Sequence, residues 1–341
     1  MARRSSSAVR RGTLAVVLAL ILPAVAIAPA ASATPTTVPS SVAECYEGSS
    51  LASVAWDRQG HDPNDLTREQ ASFVEALLAA KVQEASLLAL SRLSGIRHLR
   101  VTVPVHVHVI TRDDGSGAPA QDRLDAQLAV LNSAYSGETS SAAAATAFRF
   151  VVRSVDYTAN TDWYDWSLSA DTDDVEAKTA LHRGGPGELN LYVTGLEDGL
   201  GYATFPFERR GALDGVVIYN ETLPGGGQDL YNLGDRLVHE VGHWLGLFHT
   251  FENGCRSPGD GVPDTPYQHD GDNVVSCDES EDTCAAPGRD PVHNFMSYGD
   301  DLCMDRFSVG QSARMLVSWF GFRASPPRLD ASGSLGALGP S

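Results

Sequence analysis

Apolar residues recur along this chain with three different spacings, and each spacing predicts a different element. An apolar stretch from Leu14 to Ala28 comes first, short for a membrane span and holding Pro23. An alanine- and leucine-rich run from Arg68 to Leu93 follows, with no Gly or Pro until Gly95, and Thr67 with Gln70 makes a capping box in front of it. That pattern predicts one long helix whose buried face draws on Val74, Leu77, Leu78 and Ala85. At Val101 the period drops to two, in VTVPVHVHVI, which reads as a strand with Pro104 near its start or at a sheet edge. The spacing of Leu124, Leu128 and Leu131 predicts a helix from Gln121 to Tyr135. Further strands are expected at Phe148 to Val155, Leu189 to Val193, Leu200 to Phe205 and Gly215 to Tyr219, between turns rich in Gly, Asp and Asn. The fold class that follows is α/β (α+β): a twisted mixed sheet packed by helices, then, from Phe251, a loop-rich, Asp- and Cys-rich C-terminal subdomain.

Composition narrows the setting. A chain of 341 residues with 43% hydrophobic residues buries a real core. Arg3, Arg4, Arg10 and Arg11 precede the first apolar stretch and Ala31-Ser32-Ala33 ends it, the order of a secretory signal peptide cleaved after Ala33. The expected organisation is therefore a leader (1–33), a Pro/Ser/Thr linker with a helical pro-segment (34–100), the main folded domain (101–323) and a loose tail (324–341). The net charge of −18 grows more negative once the leader arginines are removed. Such a surface argues against nucleic acid and against stable association with an anionic membrane. Five cysteines in an exported chain imply disulfides with one left over. Cys255, Cys277, Cys284 and Cys303 cluster near the C-terminus, which leaves Cys45 odd and three pairings open for the other four.

The candidate chemistry sits in HEVGHWLGLFH, from His239 to His249. Residues four apart on a helix lie one turn above each other, so His239 and His243 present their imidazoles from one face. Gly246 can end the helix in a left-handed conformation and return the chain so that His249 supplies a third zinc ligand. Three protein ligands leave a position for water, which separates a catalytic zinc site from a closed structural one. Glu240, beside the first ligand, is placed to accept a proton from that water and pass it to the leaving amine. Downstream, HNFMSYGDDLC holds Met296 in a short turn with Tyr298 two residues later, placed to donate to the oxyanion.

The stretches YNLGDRLVHEVGHWLGLFHTFENGC, GDGVPDTPYQ and NFMSYGDDLCMDRFSVGQ resemble the pappalysin (cytophagalysin) family of metzincin endopeptidases, most strongly from Asp214 to Met315. The resemblance implies a metzincin-like fold, zinc on His239, His243 and His249, Glu240 as general base and acid, a Met-turn at Met296 and Tyr298 near the transition state. It also implies disulfides Cys255 with Cys284 and Cys277 with Cys303. Asp260 and Thr265, in the acidic loop GDGVPDTPYQ, are the better candidates for calcium. In metzincins the segment after the Met-turn walls the pocket for the side chain just beyond the cleaved bond. Asp301 is thus expected to select a basic residue there, and Arg97 and Arg100 would make the pro-segment itself a substrate. Cys45, as a thiolate zinc ligand displacing water, is a candidate for holding the precursor latent. The expected function is a secreted zinc endopeptidase acting on proteins or peptides as a monomer. The alternatives are a zinc amide hydrolase for cell-wall peptides and a zinc-stabilised binding module.

Overall fold

In the computed structural model, which describes residues 64–89, 100–167, 173–196, 199–208 and 210–324, the period-two segment forms an interior strand, second from the edge, of a five-stranded sheet. The leader, Cys45, Arg97 and the tail after Ala324 lie outside the described residues. Strand β1 (Val101–Thr111) pairs in parallel with β2 (Phe148–Ala159) on one side and β3 (Leu189–Thr194) on the other. Strand β5 (Val216–Tyr219) extends the parallel run and β4 (Gly201–Ala203) closes it antiparallel, giving the order β2-β1-β3-β5-β4. Pro104 is accommodated inside an interior strand because β3 joins β1 only from Val105 onward.

The pleat sorts β1 between two cores. Val103, Val105, Val107 and Val109 face one layer with helix α2 (Gln121–Ser136), helix α5 (Asp235–Trp244) and the turn around Met296. Ile110 faces the other, with Tyr164 of the short helix α3 (Thr161–Tyr164), Trp166, Tyr192 and Ala177 of α4 (Asp173–Leu181). Lys178 of α4 is fully buried in that second layer, with its ammonium 4.5 Å from the Tyr202 ring centroid. Burial pushes it down to about 8.

Helix α1 (Arg68–Ala89) begins on the expected capping box: Thr67 N–H donates to Gln70 Oε1 at 2.7 Å and Gln70 N–H to Thr67 Oγ1 at 3.2 Å. It is described as far as Ala89, and the remainder of the expected run, to Leu93, lies outside the described residues. Ala71, Val74 and Leu78 are buried against Phe205, Phe207 and Phe248, while Leu77 is half-buried and the side chain of Ala85 lies outside the described residues. A Glu75–Arg314 ion pair at 2.6 Å fixes α1 against helix α6 (Val309–Ser318).

The region from Phe251 is loop-rich, as its composition implies, and is stapled by Cys255–Cys284 and Cys277–Cys303. It then ends on α6, which the sequence analysis did not anticipate although Ser308 and Gln311 form a second capping box. Beyond it, Arg323 lies over Trp244 at 3.6 Å, donates to Trp244 O at 2.6 Å and pairs with Asp214 at 2.7 Å. The last described residues are thereby tied to the end of α5. Among the described residues no helix is long and apolar enough to cross a membrane.

Candidate active site

Helix α5 carries the H-E-x-x-H string, and every one of its ten residues is buried. Its entry is held from two sides. Asp301 Oδ2 accepts from Leu233 N–H at 2.7 Å and Gly234 N–H at 3.1 Å, and Gln127 of α2 donates to Gly234 O at 2.8 Å. A carboxylate there also faces the positive end of the helix dipole. At the exit Gly246 adopts φ 95°, with Gly246 N–H on His243 O at 2.8 Å and Leu247 N–H on Gly242 O at 2.9 Å. This is a Schellman turn, and it reverses the chain so that His249 returns beside His243.

The three imidazoles meet at one point. His243 Nε2 lies 3.0 Å from His239 Nε2 and 3.1 Å from His249 Nε2, and all three rings are fully buried. The other ring nitrogens decide what those contacts are. His239 Nδ1 faces Phe295 O at 2.6 Å and His243 Nδ1 faces Leu247 O at 2.8 Å. A carbonyl only accepts, so both Nδ1 atoms carry the proton and both Nε2 atoms present lone pairs to each other. Burial, followed by the neighbouring imidazoles, holds both rings well below the usual histidine range and hence neutral. Three bare lone pairs at such distances repel unless they share a cation, and a zinc ion at about 2.0–2.1 Å from each nitrogen fits that donor set. The family chemistry therefore suits the residues present.

Around this point the structure gathers the other expected groups. Glu240 is fully buried, lies against Gly201 of β4 and has Arg236 Nη1 3.7 Å from its Oε1. The Tyr298 ring stands 4.8 Å from His249 and 5.9 Å from His239, centroid to centroid. Met296 is fully buried beneath α5, where a Cβ on Gly242 would run into its sulfur. Its turn is set by Asn294, which accepts from Met296 N–H and exchanges two amide hydrogen bonds with Gln311 of α6. Phe295, the carbonyl partner of His239, belongs to the same turn, so the turn orients a ligand as well as filling space.

Asp260 and Thr265 lie away from this cluster, in the disulfide-stapled loop. Thr265 Oγ1 is 2.7 Å from both Asp260 oxygens and 2.8 Å from Val262 O. One hydroxyl proton cannot serve three acceptors, and burial lifts the Asp260 carboxyl to about 7.

Three residues near the site were missed by the sequence analysis. Arg236 precedes Glu240 by four positions, a spacing that puts both on one helix face and was legible in principle. Asn64 and Asp65 lie at the end of an uninformative stretch. Asn64 Nδ2 donates to Ala203 O at 2.8 Å and its Oδ1 accepts from Ala203 N–H at 3.1 Å. Asp65 Oδ1 is 3.1 Å from His249 Nδ1. With Phe251, Glu252, Val274 and Tyr298, Asp65 and Leu66 line a cleft of about 440 Å³.

Comparison with known proteins agrees with this geometry. A profile of Peptidase_M43, described as pregnancy-associated plasma protein-A, matches residues 189–318. An extracellular metalloprotease of Pyricularia oryzae is 37% identical over 260 residues, covering 74% of this chain and 86% of that protein. Mature mirolysin of Tannerella forsythia, solved with a cleaved peptide, superposes with a TM-score of 0.55 at 28% identity, over 63% of this chain and 90% of that one. A promirolysin mutant of the same organism superposes with a TM-score of 0.59 at 25% identity, over 75% of this chain and 92% of that one.

Proposed function

This chain belongs to the Peptidase_M43 (pappalysin) family and is an extracellular, zinc-dependent endopeptidase acting on proteins or peptides; from that premise we propose how its own residues carry the reaction. His239, His243 and His249 hold the zinc through Nε2. The observation that carries this is the convergence of three Nε2 atoms, that of His243 lying 3.0 Å and 3.1 Å from the other two, with two of the Nδ1 protons committed to backbone carbonyls. Bound zinc supplies Lewis acidity, polarising the scissile carbonyl and lowering the pKa of water. Glu240 takes the proton of the attacking water on a carboxylate oxygen and returns it to the leaving nitrogen. The Tyr298 hydroxyl donates to the carbonyl oxygen as its charge grows.

The substrate backbone adds to β4, the open edge of the sheet. Thr204 N–H pairs with Gly215 O and Tyr219 N–H with Leu200 O, so the alternating residue Ala203 turns its N–H and C=O outward. In this precursor Asn64 occupies both groups, and Asp65 reaches the third metal ligand. The stretch before β1 thus acts as a pro-segment lying over the substrate edge. The larger share of this chain covered by promirolysin than by mature mirolysin supports that reading. Arg100, exposed just ahead of β1, marks the expected region of its release. Asp260 and Thr265, with Val262 O, form a calcium site whose cation would resolve the surplus of acceptors.

The test is metal content and casein cleavage for the mature enzyme and Glu240→Gln. One zinc per chain in both, with hydrolysis lost in the variant by a factor of about 10² or more, is expected. Near-normal cleavage by Glu240→Gln would reject Glu240 as the proton carrier.

A further inference from the structure

Resting on the protease reading above, we infer that Phe251 is a positioning residue for the reaction: it fixes the Tyr298 ring at the angle from which the hydroxyl serves the oxyanion. Tyr298 can serve it only if backbone and ring are both held. The backbone is held by its own turn and by the segment that carries the third zinc ligand. Tyr298 N–H donates to Val274 O at 3.2 Å, and Met296 O accepts from Thr250 N–H at 3.1 Å, which joins the turn to the residue after His249. Fully buried Gln268 fixes the same segment, its Oε1 accepting from Thr250 Oγ1 at 2.7 Å. What these bonds leave free is rotation of the Tyr298 side chain about its own χ angles.

Phe251 takes up that freedom. Its ring stacks on His249 with centroids 4.8 Å apart and planes 8° from parallel, and Tyr298 meets it edge-on at 4.7 Å and 64°. Tyr298 meets His249 edge-on as well, at 4.8 Å and 70°, so the three rings close a triangle. Two corners of that triangle are fixed from outside it. His249 is directed to the zinc, and Phe251, only 8% exposed, follows it by two residues on the same pinned segment. Turning the Tyr298 ring therefore gives up edge-to-face contacts that the ring quadrupoles favour, without moving either partner. His239, at 5.9 Å, is a looser neighbour. The phenyl ring of Phe251 offers neither an acidic proton nor a lone pair, so its contribution to the chemistry passes through Tyr298. Phe251 and Tyr298 also line one cleft, so ring placement has to be separated from contact with substrate.

A double-mutant cycle in zinc-loaded mature enzyme makes that separation, with kcat and KM read on one fluorogenic peptide. Phe251→Leu keeps an apolar side chain but no ring. Its kcat is expected to fall about tenfold, equivalent to about 1.4 kcal/mol, with KM changed by no more than about twofold, the pattern of a contact that matters only in the transition state. Phe251→Tyr, which restores a ring, should recover most of the loss. In a Tyr298→Phe background the donor is already gone, so Phe251→Leu should lower kcat by less than about twofold. An equal fold loss in both backgrounds overturns the inference, because a ring that only supports the fold or touches substrate acts with or without the hydroxyl. A wild-type kcat in Phe251→Leu overturns it too, as does loss of zinc from that variant, which would put the effect on His249. If Phe251→Leu fails to fold, Phe251→Met carries the same cycle. A Tyr298→Phe enzyme as fast as wild type would remove the donor and the inference with it, whereas failure of zinc-loaded wild type to cleave casein would sink the protease reading itself.

Discussion

Replacing Gly242 by Ala sets two effects of known size against each other. Gly242 sits inside α5, and a Gly→Ala change in a helix interior ordinarily stabilises by about 1 kcal/mol. Here the added methyl would enter the space of the Met296 sulfur, which is fully buried beneath the helix. Overpacking of a filled core costs about 1–3 kcal/mol, so the net change should be a destabilisation of up to about 2 kcal/mol. The displacement also has a chemical consequence. Met296 is adjacent to Phe295, whose carbonyl accepts from His239 Nδ1 at 2.6 Å, so moving the turn disturbs a zinc ligand. Loss of such a supporting contact weakens metal binding by about 10- to 100-fold. Urea unfolding of the zinc-free protein reads the first effect and competition with a chromophoric chelator reads the second. A Gly242→Ala protein more stable than wild type, with unchanged zinc affinity, would refute the packing of Met296 against this glycine as the reason for both.

Other expectations follow from individual contacts. Asn64→Ala with Asp65→Asn should convert the purified precursor to mature enzyme several-fold faster by gel time course, because the edge of β4 and His249 lose their pro-segment partners; an unchanged half-time would dismiss these two residues. Lys178, lowered from 10.5 to about 8 by burial, binds its proton less well folded than unfolded. Wild-type stability should therefore rise between about pH 8 and pH 10, by about 3 kcal/mol at most. Lys178→Met should be more stable at pH 7 and lack that rise in urea melts; a pH profile identical to wild type would contradict it. Thr265→Val should abolish the calcium-dependent rise in melting temperature while leaving zinc content intact; a rise equal to that of wild type would rule out the hydroxyl as a ligand.

Much of this protein was legible in its sequence because local rules act over short spans. The period-two run at Val101, the apolar spacing near Leu128 and the Thr67–Gln70 box each specify an element without outside help, and each formed. The zinc motif is equally local: four residues make one helical turn, and Gly246 supplies the reversal that brings His249 back. The pairing of the four described cysteines, left open by residue counting, required the folded loops to bring Cys255 to Cys284 and Cys277 to Cys303. What tertiary structure alone decided lies in contacts between distant segments. Asn294 is set against Gln311, Asn64 against Ala203, and Asp65 against His249, across gaps that no periodicity reports. Charge in the cleft belongs to the same class. Asp301 reads in sequence as an acid facing substrate, and only the fold decides that its Oδ2 accepts from Leu233 and Gly234 at the start of α5 and that Arg236 approaches Glu240. A side chain's type is written in the sequence, but the partners that consume its charge are chosen by the fold.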